Sequence, residues 1–159
     1  MTTEGPSARR KLELASLDEL LSDIRRCSGG CRSLGNWTLA QACRHLSSTF
    51  DGSIDGFDLT QHRWKRRLLG KALLRLTYRD GIPPGYTVDP ALTPPPGLNF
   101  EPEFARLEQA MVRYREHRGK LQPHPLFGRL SRDQWDRLHL FHAAHHLSFF
   151  LPSPAPEQA

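Results

Sequence analysis

Eight histidines are spread through 159 residues, and four of them fall within the eight positions 139–146. Neutral imidazoles are the commonest ligands for divalent transition metals, so their spacing is the first thing to read. On a helix, Trp135, Leu138, His139, His142, His146 and Phe149 share one face, by steps of three and four. His142 and His146 stand one turn apart, so both rings can reach a single ion. His145 points about 100° away from His146, towards the edge of such a site. His45 lies beside the apolar stripe of Ala42, Leu46 and Phe50 on a second helical segment. A pair from one helix and a single ring from another can supply three nitrogen ligands and leave a fourth position open, as catalytic divalent sites do. The competing reading is that these are satisfied core histidines. The pair is not a zincin motif, because Ala143, Ala144 and His145 stand between its members and no glutamate base follows His142.

Other chemistry-bearing patterns are weaker. The run Asp51-Gly52-Ser53-Ile54-Asp55-Gly56 mimics the start of a calcium loop, but the twelfth position is His62, not a bidentate Glu. It reads as a glycine-rich helix stop. Cys27 and Cys31 flank a Gly-Gly turn without the further ligands a zinc finger needs, and three cysteines make no disulfide framework. Cys43, two residues before His45, points about 160° away from it and belongs to the core. Trp37 and Trp135 flank the two histidine-bearing segments. Core packing is the default for both, with walling of a metal pocket as the alternative, and His124 is a further candidate for lining that cavity.

The elements that must position these rings are helices. Three capping boxes open them, at Ser16, Thr38 and Ser131, each with Glu or Gln three residues on. The periodicity predicts helices over about 16–28, 38–51, 62–79, from Pro102 to about Arg118, and 132–149. In the third, Trp64, Leu68, Ala72, Leu73 and Leu76 form the expected apolar stripe. Residues 81–100 contain six prolines and read as one long irregular crossover. No strand-period run of useful length is found. The class is therefore all-α: a four-helix bundle with a long Pro-rich crossover and an accessory basic helix. Residues 1–14 read as a flexible leader, 15–151 as the helical domain, and 152–159 as a flexible tail.

The net charge is +5, yet residues 61–80 alone hold seven basic side chains against Asp80, so the excess sits on one segment. A solvated helix face explains this more simply than nucleic-acid binding, given 18 Arg to 4 Lys across the chain. Four histidines interrupt the most apolar stretch, near Leu138–Leu151, which argues against a membrane span. The first residues carry no apolar signal core, so the expected location is cytoplasmic.

The segments LGNWTLAQACRHL and DGSIDGF, with the C-terminal block HPLFGRLSRDQWDRLHLFHAAHHLSFF, resemble the DinB-like superfamily. They are most similar to its branch with HPxFGxLS followed by W and HxxHH. The resemblance covers about residues 12–151. It implies a four-helix bundle with a long crossover and a three-histidine metal site. Carried over position by position, the ligands are His45, His142 and His146, holding zinc, nickel or a similar ion. Some superfamily members are thiol S-transferases or thiol-dependent isomerases. The expected function is thus a divalent-metal protein that transfers a low-molecular-weight thiol to a small electrophile. The alternatives are a metal-stabilised, non-catalytic bundle and a metal-dependent hydrolase of a small substrate. The expected partner is a small molecule rather than nucleic acid or membrane, with homodimerisation left open.

Overall fold

The computed structural model describes residues 9–58, 70–82 and 89–153. Among them the chain is mostly helical, with α1 (Leu17–Ser28), α2 (Leu39–Asp55), α3 (Gly70–Asp80), α4 (Phe100–Glu116) and α5 (Arg132–Leu147). A short 3-10 turn, Pro90–Leu92, interrupts the crossover. No helix among the described residues is long and apolar enough to cross a membrane.

Capping sets where the helices begin. The Thr38 hydroxyl accepts from the Gln41 N–H at 3.2 Å, and the Gln41 side-chain oxygen accepts from the Thr38 N–H at 2.9 Å. Ser131 and Gln134 repeat this reciprocal pair at α5. Each such cap contributes about 1 kcal/mol and fixes the rotational start of the helix that carries a histidine. At α1, Ser16 accepts from Glu19 N–H, while the Glu19 carboxylate reaches back one residue further, to Ala15 N–H.

Several helix boundaries differ from the sequence expectation: α4 and α5 end at Glu116 and Leu147, short of Arg118 and Phe149, and two other shifts have a clear cause. The second helix runs on to Asp55 because Gly52 does not stop it: the Phe57 ring folds back onto Gly52, where a Cβ would come within 2.5 Å of Cε1. The stop is Gly56, at φ 98°. The fourth helix starts at Phe100, two residues before Pro102, behind the cap position Asn99.

The third helix is rotated from the expected stripe. It turns Gly70, Leu73, Leu74, Thr77 and Tyr78 inward and leaves Ala72 and Leu76 exposed. Tyr78 sets this rotation by meeting the Phe141 ring edge-on at 5.1 Å beneath the Arg137 guanidinium. Gly70 adds to it by lying so close to the Phe127 carbonyl that a Cβ would sit 2.4 Å away. Trp64, Leu68 and the basic residues 63–67 lie outside the described residues. Lys71, Arg75 and Arg79 form the exposed basic face of the described part.

The expectation of no strands is corrected. Cys31–Ser33 (β1) pairs antiparallel with Phe150–Pro152 (β2), in the register Cys31 with Pro152 and Ser33 with Phe150. Three-residue strands from opposite ends of the chain are too short to show a period of two. Pairing continues past Leu151, and Ser153 N–H donates to the Gly30 carbonyl at 2.9 Å. On the other side of the helical domain's expected start, Leu12 and Leu14 pack on the core.

The closest helix pair is α2 with α4, and α5 packs against both α1 and α2. Leu20, Ile24, Phe50, Leu107, Trp135 and Leu147 are nearly or fully buried between them. Each such side chain contributes about 1.5–3 kcal/mol relative to exposure. Arg44 on α2 and Glu103 on α4 join across the pair, with Nη2 2.6 Å from the carboxylate.

Candidate metal centre

α2 and α5 bring His45, His142 and His146 to one point. Their candidate ligand nitrogens all lie within 4.8 Å of one another. His142 Nε2 is 3.2 Å from His45 Nε2 and 2.9 Å from His146 Nε2. Ligands at 2.0–2.1 Å around a tetrahedral ion stand roughly 3.3 Å apart, so the rings need only small adjustments to share one. His45 is buried, and His142 and His146 are half-buried.

Tautomers sharpen this fit. His45 Nδ1–H donates to the Leu92 carbonyl at 2.9 Å, which places the ring's lone pair on Nε2, facing the other two. His142 Nε2 carries at most one proton, yet it sits within hydrogen-bond reach of two nitrogens. One proton cannot serve both contacts well. Protonating the cluster does not relieve it either. Burial first, then the neighbouring imidazoles, holds His142 and His146 well below the ordinary histidine range. Burial also lowers His45, against the raising effect of the Leu92 carbonyl. Three uncharged rings with converging lone pairs are what a divalent ion needs.

The surroundings are aromatic. Trp37 stacks on His146, with centroids 5.2 Å apart and planes 11° apart, and tilts against His45 at 5.0 Å. His145 meets His146 edge-on at 5.1 Å and Phe149 at 5.5 Å. Burial, then the charge of Arg9, pushes His145 down to about 4. Among the described residues, the ring and hydrogen-bond partners of the three imidazoles are one another, Trp37, His145 and the Leu92 carbonyl. None is a carboxylate.

The other sequence candidates lie elsewhere. Trp135 and His124 do not wall this point. They form a second aromatic cluster with His139, Phe57 and Phe127. His124 accepts from the Leu126 and Phe127 N–H groups and so shapes its own loop, closed by Gly128 at φ 74°. Cys43 is buried, and burial pushes its thiol up to about 12, as a core residue requires. Cys27 is likewise buried and raised to about 11. His62 lies outside the described residues.

The crossover's part could not be foreseen. Its Leu92 carbonyl orients His45, and Gln41, one turn before His45, donates to the Pro94 and Pro95 carbonyls at 3.3 and 3.2 Å. A backbone carbonyl carries no residue-type signal. The only hint was the length of the proline-rich segment itself.

The fold and the site together define a mostly helical protein with a convergent three-imidazole cluster. Residues 7–153 match the model of a protein family of unknown function, DUF1569, and the chain belongs to that family. No curated protein and no solved structure matches it.

Proposed function

We propose that the chain is a DinB-like divalent-metal-binding protein. In this reading α1, α2, α4 and α5 form a four-helix bundle, and His45, His142 and His146 hold zinc or nickel. The convergence of three uncharged imidazoles, one of them locked in the ligating tautomer by Leu92, carries the proposal. The Leu92 hydrogen bond is the kind of outer contact that orients ligand histidines in metal sites.

The reaction we favour is transfer of a low-molecular-weight thiol to a small electrophile in the cytoplasm. A bound divalent ion supplies Lewis acidity, which lowers the pKa of a thiol to the working range. The side chains around the rings favour this over hydrolysis. Hydrolysis needs a base to take a proton from water, and no carboxylate partners the rings among the described residues. A thiol arrives with its own readily lost proton. Trp37 packs on His146 and His45 and covers one side of the point, while His142 and His146 are only half-buried.

A non-catalytic role is the second reading, because the same three rings tie α2 to α5 and metal binding would stabilise that contact. Elemental analysis of the purified protein tests the shared premise. We expect about one equivalent of metal in the wild type and almost none in His142→Ala. Equal metal content in the two would overturn the ligand assignment. Metal-dependent turnover of thiol and electrophile then separates the enzyme from the structural reading.

A further inference from the structure

We propose that the site selects a small molecule with two negative charges, one placed at the three-imidazole point and the other on the guanidinium of Arg9. The inference rests on the metal reading above and names the ligand class for it.

Charge balance at the three-imidazole point favours an anion. Three neutral imidazoles leave a divalent ion with both its positive charges, and among the described residues no carboxylate is a ring partner to offset them. A partly buried, uncompensated charge is costly, so the open coordination position favours an anion.

Among the described residues, a guanidinium without an ion-pair partner stands two aromatic rings from the point. Arg9 is exposed, and its guanidinium lies 4.7 Å over the Phe149 ring. Phe149 meets His145 edge-on, and His145 meets His146 in the same way, so Arg9 stands two rings away from a ligand imidazole. Among the described residues Arg9 has neither a carboxylate partner nor a side-chain hydrogen bond. Its planar fork of donors is free to take a carboxylate in bidentate fashion.

Arg9 is also held in place through its neighbour. The next residue, Arg10, donates through its backbone N–H to the Ser148 carbonyl at 3.1 Å, and its guanidinium grips both oxygens of Asp23 at 2.8 and 2.7 Å. The segment is therefore fixed beside the end of α5, and Arg9 is a positioned charge rather than one on a free tail. Its aromatic contact orients the guanidinium without consuming its N–H groups.

The negative group at the ion end can be a thiolate or a carboxylate, and the test separates them. Full-length protein is loaded with Co2+, and its visible spectrum is titrated with ω-mercaptocarboxylates from 3-mercaptopropionate to 6-mercaptohexanoate. Matched ω-mercaptoalcohols and the dicarboxylates succinate and adipate are titrated in parallel. We expect at least one mercaptocarboxylate to bind about tenfold more tightly than its alcohol. The preference disappears in Arg9→Gln and is partly restored in Arg9→Lys. Arg9-dependent dicarboxylate binding without thiol binding supports the dianion class and assigns a carboxylate to the ion end. Equal preference in wild type and Arg9→Gln, with the cobalt spectrum intact, overturns this inference and leaves the metal reading standing. Failure to take up Co2+ at all overturns both.

Discussion

His139 sits one turn before His142 on the same face of α5, yet it does different work. It stacks on Phe50 at 4.0 Å and on Trp135 at 5.1 Å, with Tyr114 edge-on, and its Nε2 has no partner. Burial pushes it down to about 3. The folded protein therefore keeps this ring neutral, while the unfolded chain protonates it below about 6.5. The unfolded state binds the extra proton between those values, so stability falls as pH drops through that window. In urea unfolding of metal-free protein, the wild type should lose about 1–2 kcal/mol more than His139→Phe between pH 7 and pH 5. Equal losses would mean that the ring does not stay neutral. Helical spacing predicted that His139 shares a face with His142 and His146. It could not separate a packed ring from a candidate ligand, because that depends on which residue each turn of α5 meets. The turn at His142 and His146 meets His45, whereas the turn at His139 meets Phe50, also on α2.

At the scale of elements, the crossover supplies what no helix can. Gln41 uses its oxygen for the capping box at Thr38 and its nitrogen for the carbonyls of Pro94 and Pro95. Gln41→Glu keeps the oxygen that caps α2 and removes the two donors that hold the crossover. We expect metal affinity, read by competition with a chelator, to fall about tenfold while far-UV circular dichroism stays unchanged. Unchanged affinity would show that Leu92 holds its position without this tie. The starts of α1, α2 and α5 were legible because capping boxes are local chemistry. The rotation of α3 was not, since Tyr78 and Gly70 answer to Phe141 and Phe127 rather than to their own helix. The β1–β2 pair was invisible for the same reason: three residues have no detectable period, and their partners lie at the far end of the chain.

Across the whole molecule, one ion pair joins three distant pieces. Arg10 binds Asp23 on α1 and donates to the Leu147 carbonyl at the end of α5 at 3.0 Å, and Arg26 adds a second cation to Asp23. Both members of the Arg10–Asp23 pair are largely buried. Asp23→Ala strands a buried guanidinium and should cost about 3–5 kcal/mol in urea unfolding. A cost below about 1 kcal/mol would mean that water reaches Arg10 and the pair behaves as a surface one. The charge excess falls on residues 61–80, and four of its seven basic residues, Arg63, Lys65, Arg66 and Arg67, lie outside the described residues. The cation that matters to the site reading stands instead at Arg9, in the stretch read from sequence as a leader.

The pairing of Cys31–Ser33 with Phe150–Pro152 has a consequence for how the protein is made. Contacts between residues so distant in sequence form late, because the loop they close must be ordered first. During synthesis His45 leaves the ribosome early and waits alone, and its companions arrive only with α5. A product cut short by stalling or proteolysis before residue 142 keeps most of its helices but cannot complete the cluster. In the metal reading proposed above, metal retention thus reports whether synthesis has passed residue 146.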